Sequence, residues 1–328
     1  MHTSGFLRGA ARWLALAALF FATAAGAARA PQWTFIELKA PGGDAIIATG
    51  INDHGEVTGW YREACADRFG CVRPFLWSDG ELRTLPTPPD LPRIEVNEIN
   101  ARGVIVGNTE IFPREVLVWM DGAWVRPGIA GQGFDINRGG DIAGMDERSQ
   151  PFLFRDGVLF GLPTLGAGLA GALALNDRAV VAGFADTPDR RRRAVIWENG
   201  ALRDLGDLGG TFNVATAINN RGTVVGIADD GTMSAAFIWD GVMRRIPGLG
   251  SGSRPTGIND HGAVVGSINS AIGFLFDDNT VTRLDTLPAV QAKGFRLVEP
   301  LAINNRGWIV GWAWRGDRDT AAFILIPR

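Results

Sequence analysis

Apolar positions along this 328-residue chain alternate over short runs, stop at Gly, Asn or Asp, and resume. The same pattern returns about every 42 residues, a period that marks a repeat architecture. Each return is built on I/L-N-x-x-G-x-x-x-G. The copies are INDHGEVTG from Ile51, INARGVIVG from Ile99, INRGGDIAG from Ile136, LNDRAVVAG from Leu175, INNRGTVVG from Ile218, INDHGAVVG from Ile258 and INNRGWIVG from Ile303. An apolar–aromatic run closed by a turn follows, as in FLWSDG (75–80), LVWMDG (117–122), FLFRDG (152–157), VIWENG (195–200) and FIWDG (237–241). Short β-branched and aromatic runs bounded by turn residues predict strands, and no helical period occurs beyond the first thirty residues. One unit therefore predicts four strands: an Ala/Gly-rich strand entering the Asn, then VVG, FLW and L-x-x-L strands.

The N-x-x-G spacing has a physical reason. Asn at the first position of a type I turn accepts a hydrogen bond from the backbone two residues on, and Gly three residues later takes a left-handed conformation. Ala179 stands where the fourth copy needs that Gly, which predicts a strained or differently built turn. The second Gly, such as Gly59 or Gly226, marks a strand position closely approached by backbone. Trp77, Trp119, Trp197 and Trp239 share one repeat position with Phe154 and Phe276 and are expected to be core wedges.

The ends of the chain decide between an open and a closed array. The seventh unit stops at FILIPR without its L-x-x-L strand. The stretch FIELKAPGGDAIIATGIN (35–52) aligns without a gap on LRDLGDLGGTFNVATAIN (202–219), putting Leu38 on Leu205 and Asn52 on Asn219. The early chain thus supplies the missing strand. Closing the ring removes exposed sheet edges, whereas an open solenoid needs polar caps. The expected fold is all-β, a seven-bladed β-propeller spanning 31–328 with the last blade closed by the N-terminal strand.

The stretch DLGDLGGTFNVATAINNRGTVVGIADD, followed by AAFIWDG, resembles the HAF family of extracellular repeat proteins, with its L-G-x-L-G-G, A-x-x-I-N-x-x-G-x-V-V-G and H-A-F-L-W phrases. The resemblance runs over essentially all of 31–328. The family's namesake His is missing: Ala236-Phe237 and Ala322-Phe323 keep A-F, and Arg73-Pro74-Phe75 keeps only F. The resemblance implies export and repeat architecture and assigns no activity.

Composition narrows the setting. A net charge of −3 gives no global attraction to nucleic acid or an anionic membrane. Arg8 and Arg12, the apolar run WLALAALFFATAAGA and the small residues before Ala27 read as a signal peptide over 1–27. The mature chain is therefore expected in the periplasm or outside the cell, as a monomer without a membrane span. In that setting Cys65 and Cys71 of CADRFGC are expected to form a short-loop disulfide.

Candidate chemistry is sparse. The repeated turns should all lie on one face of the ring, leaving the variable loops on the other as the candidate binding face. There GWYREACADRFGC and GWAWRGDRDT, on neighbouring blades after closure, offer Trp60, Tyr61, Arg62, Trp312, Trp314 and Arg315 as an aromatic, partly basic platform for a glycan or a protein partner. Arg190 to Arg193 read as a solvated charged loop. GAGLAG (166–171) matches a dinucleotide fingerprint in letters, yet runs straight into a strand-like ALALN instead of a helix. His54 and His261 fall inside N-D-H-G turns, away from the loops, so no catalytic triad or His-based metal site is expected, and no cofactor. The expectation is a secreted, non-catalytic binding scaffold. The alternative is a carbohydrate-active enzyme using paired loop carboxylates, drawn from Asp146 with Glu147, Asp229 with Asp230, or Asp317 with Asp319.

Overall fold

The computed structural model describes residues 32–65, 70–166, 168–316 and 319–328. The expected signal peptide and Asp317 lie outside the described residues.

Each repeat folds into a four-stranded antiparallel sheet, and successive strands run outward from the centre of the ring. Blade 1 holds Gly43–Ile51, Val57–Glu63, Cys71–Ser78 and Glu81–Thr84, and blades 2 to 6 repeat that order up to Thr280–Arg283. Blade 7 takes Leu297–Ile303, Ile309–Gly316 and Asp319–Pro327 from the end of the chain and its outermost strand, Trp33–Leu38, from the beginning. The latch pairs Trp33 with Pro327 through Leu38 with Ala322, in unbroken register. The fold is a seven-bladed β-propeller closed by its N-terminal strand.

Two features of the repeat set the geometry. Gly226, the second Gly of the phrase, leaves no room for a side chain: a Cβ there would lie 2.0 Å from the carbonyl oxygen of Val214 and 2.7 Å from the Phe237 ring. Gly59 meets Ile47 and Phe75 in the same way. The phenylalanine of the third strand therefore seats on the glycine of the second, and Phe75, Phe152, Phe237, Phe274 and Phe323 are almost wholly buried. The innermost strand also carries a bulge in every blade, two to four residues before the Asn, as between Ala215 and Ala217. A bulge bends the strand and re-aims its side chains. Thr49, Asn97, Thr216 and Thr256, at the bulge, reach across to a carbonyl of the next blade's inner strand.

The Asn turns form as the spacing predicts. Asn219 Oδ1 accepts from the backbone N–H groups of Arg221 and Thr223, and Gly222 N–H donates to the Asn219 carbonyl at 3.0 Å. Ala179 keeps the same turn at a φ of 57°, so this copy is strained and not rebuilt. Each Asn also makes a bond that its own turn does not require. Its Nδ2 donates to the main-chain oxygen of the next blade's Asn: 52 to 100, 100 to 137, 137 to 176, 176 to 219, 219 to 259, 259 to 304, and 304 back to 52, at 2.9–3.2 Å. All seven are buried.

Asn219→Ala should therefore strand two turn amides and a neighbouring carbonyl, costing about 2–4 kcal/mol and roughly 4–8 °C in Tm. Asn219→Asp should recover only part of that, because it keeps the acceptor and loses the donor. An unchanged melting curve for Asn219→Ala would sink the claim. Ala179→Gly should move the other way, gaining about 0.5–1 kcal/mol by relieving the left-handed strain.

Candidate functional site

The inner strands enclose a cavity of about 330 Å³ at the Asn-turn end of the ring. It thus lies on the side of the repeated phrase, away from the variable loops. At its mouth the residues following each Asn form a second chain of bonds. Arg138 N–H donates to Asp177, Asp177 to Asn220, Asn220 to Asp260, Asp260 to Asn305 and Asn305 to Asp53, main chain to side chain, at 2.7–2.9 Å. Asn220 and Asn305 also bridge the carboxylates on either side of them. This outer chain opens at blade 2, where Ala101 offers no side-chain acceptor.

Inside the well the pseudo-symmetry breaks. The residue two before each Asn is Gly50, Ala174, Ala217, Gly257 or Ala302 on five blades, but Glu98 and Asp135 on blades 2 and 3. Glu98 Oε1 accepts from Ile99 N–H at 3.0 Å, and Asp135 accepts from Ile136 and Leu175 N–H, each at 2.7 Å. Burial pushes the Asp135 carboxyl up to about 6, against the hydrogen bonds that lower it. Glu98 is pushed well above the ordinary glutamate range, first by burial and then by the charge of Asp135. Sequence reasoning missed both. The signal was there: two ionisable residues stand in a column otherwise filled by Gly and Ala.

The structure does not gather the six loop-face residues into one platform. Trp60 packs toward blade 2, against a cluster with Ile94 and Leu117, with Arg62 5.5 Å above its ring. Tyr61 points the other way, is buried between blades 7 and 1, and bonds Thr84 Oγ1 at 2.9 Å. Trp312 and Trp314 lie half-buried on the side of their strand that carries Val310, which joins that same 7–1 cluster. Arg62 pairs with Glu110 at 2.5 Å. Arg315 is occupied: it binds Glu37 of the latch at 2.5 Å and Asp319 at 2.6 Å, and lies 4.2 Å over Phe295. Cys65 and Cys71 are joined as a disulfide.

The loop carboxylates are largely turn supports. Asp146 accepts from the N–H groups of Arg148 and Gln150, and Asp229 from those of Thr211 and Phe212. Asp230 accepts from the Thr232 hydroxyl and from the Met233 and Thr232 N–H groups, which hold it well below the usual carboxylate range, and it pairs with Arg245, while Glu147 is exposed. The arginine run is dispersed, with Arg191 on Asp189, Arg192 on Asp186 and Arg193 on Asp204 and Asp207. GAGLAG leads into the strand Ala170–Leu175. His54 and His261 are exposed on the Asn turns. No helix among the described residues is long and apolar enough to cross a membrane.

No family model matches the chain, and no curated protein matches it in sequence. Solved structures do resemble it. YCF48 bound to D1 peptide superposes with a TM-score of 0.55 at 13% identity, over 89% of this chain and 95% of that one. The β-propeller domain of the Trilobed protease from Pyrococcus furiosus gives 0.51 at 11% identity, over 73% and 83%. A puromycin-hydrolyzing peptidase of Mycobacterium tuberculosis gives 0.57 at 13% identity over 89% of this chain, which spans 53% of that protein; it also spans 61% of TolB from Acinetobacter baumannii. At these identities the likeness is one of fold, and it places the chain in the β-propeller class.

Arg315 pins the latch, so Arg315→Ala should destabilise the protein at neutral pH by about 1 kcal/mol, the pair being partly solvated. Its guanidinium holds the Glu37 carboxyl below the usual range. The contribution is thus present above the ordinary glutamate pKa and lost as pH falls through the depressed one. Melting of wild type and variant should converge below about pH 4; a gap that stays constant would refute this role.

Proposed function

We propose that this protein is an exported, non-catalytic binding propeller of the HAF repeat kind, which holds a glycan or an envelope protein on a rigid ring. The observation that carries the reading is how the polar groups are used. The Asn ring, the mouth carboxylates, Arg315 and most of the described loop acids are engaged in holding turns and blades together. A carboxylate pair working across a cleft would have to be free to exchange protons with a substrate. What remains available is a stiff frame, a polar central well, and half-buried Trp312 and Trp314 at the opposite end of blade 7.

Trp312 and Trp314 supply the apolar faces on which sugar rings or a peptide would stack, beside the 7–1 seam. Trp60 and Arg62 supply a second, separate patch on the 1–2 seam. The basic and apolar leader and the Cys65–Cys71 disulfide support the reading of export.

Thermal melting of the purified protein against soluble glycans, polyanions and divalent ions tests this reading. A ligand at a hundred times its Kd should add about 2.7 kcal/mol of stability. The shift should vanish in Trp312→Ala for a ligand on the 7–1 seam. Turnover of any glycan that binds, abolished by replacing one loop acid, would overturn the non-catalytic reading in favour of a carbohydrate-active enzyme.

A further inference from the structure

The outermost strand of each blade has a neighbour on one side only, and charged side chains guard most of these rims against stray pairing. Arg83, Arg203, Arg245, Arg283 and Glu37 stand in the rim strands of blades 1, 4, 5, 6 and 7. The three-residue rim of blade 2, Ala123–Val125, runs straight into Arg126 and Pro127. Blade 3 is unguarded. Its rim strand, Val158–Gly161, reads VLFG, and no charged residue occurs between Asp156 and Asp177. Val158, Leu159 and Phe160 are each half exposed, at 48–50%.

The hairpin fixes which backbone groups face outward. It turns through Asp156 and Gly157, both at positive φ, so Arg155 and Val158 exchange ladder bonds. The N–H and C=O of Val158 and Phe160 therefore point inward to Pro151–Arg155, and those of Leu159 and Gly161 point out. Leu162 continues the inward series, donating to the Pro151 carbonyl at 2.9 Å. Pro163 is next in the outward series and has no N–H, which ends the open stretch.

We propose that this rim pairs with itself, two copies of the chain joining blade 3 to blade 3 as antiparallel strands about a two-fold axis at Phe160. Leu159 of each copy then exchanges both backbone bonds with Gly161 of the other. Phe160 meets the Phe160 of the second copy at a non-hydrogen-bonded position, where side chains come closest and aromatic pairs gain most. Leu159 lies beside a residue with no side chain, and a Cβ on Gly161 would itself meet nothing within 4 Å, so bulk faces space. The nearest charge, Asp156, falls opposite Thr164 and meets no like charge. The strand is thus complementary to itself in hydrogen bonding, bulk and charge, as an isologous contact requires.

Paired antiparallel, the two rings turn their variable-loop faces in opposite directions. On the binding reading above, such a dimer bridges two ligands instead of crowding both onto one surface. A contact of four residues a side is small for a specific interface. The expected monomer thus gives way to a dimer only at high concentration, with a Kd of about 10–100 µM.

Sedimentation equilibrium of the purified protein without ligand, from about 1 to 500 µM, tests the pairing whether or not a ligand is ever found. The average mass should climb from one chain toward two. Phe160→Lys, which sets like charges face to face on the axis, should weaken association about tenfold or more. Its Tm in dilute solution should stay within about 2 °C of wild type, the site being on the surface. Val242→Lys, at a 69% exposed apolar position on blade 5, should leave the dimer intact. Phe160→Cys should lock the dimer on oxidation, because facing residues at such a position have Cα atoms about 4.5 Å apart, within disulfide reach. A mass of one chain throughout would overturn the proposal. So would a dimer that Phe160→Lys leaves as tight as before, that Val242→Lys weakens equally, or that Phe160→Cys does not cross-link.

Discussion

Seven asparagine side chains hold this molecule in register, and each does two things at once. Oδ1 accepts backbone N–H groups of its own turn, while Nδ2 donates to the next turn's main chain. A buried carboxamide that leaves one of these groups unmade is costly, so each turn is right only when its neighbour is right. The last bond, from Asn304 to Asn52, returns the chain of dependence to its start. The bulge residues and the mouth chain repeat the theme at other depths, with partners in the next blade. Blade spacing is therefore fixed by polar bonds near the axis, and the apolar seams farther out fill the space those bonds define.

Against that regularity the departures carry the information. Ala179 breaks the turn rule at a strain cost and still closes the same turn as the other six copies. Ala101 interrupts the mouth chain at blade 2, the blade that also carries Glu98. Glu98 and Asp135 break the small-residue rule in adjacent repeats, where two carboxyls are expensive to desolvate. An acidic pair in the central well of a frame otherwise built for rigidity is the local inconsistency expected of a site with a job beyond folding.

Most of the architecture was legible in the sequence because it rests on local rules repeated many times. Gly226 requires bare backbone, Asn219 requires its turn, and alternation requires strands; the alignment of 35–52 on 202–219 then forces closure. The binding face was less legible, and for a geometric reason. Neighbouring residues of a strand point to opposite sides, so the adjacency of Trp60 and Tyr61 in the chain sends them to different seams. Arg315 was expected to face a ligand, yet its partner Glu37 lies nearly the whole chain away and is visible only once the ring is closed. The inter-blade half of the asparagine bond was hidden likewise, since the spacing reports only what each residue does within its own repeat.

The latch has a consequence for the order of events. Trp33 meets Pro327, so the first strand to form waits for the last to be made. Closing so long a loop costs only about 0.6 kcal/mol more than closing one half its length, but contacts so distant in sequence form late. Until they do, blades 1 to 6 can assemble as an open arc whose terminal edges are unpaired strands, the state most prone to pairing with the wrong chain. The same strand that makes the finished ring edgeless thus makes its infancy the vulnerable period, and any cell producing this protein must shelter the arc until the buckle shuts.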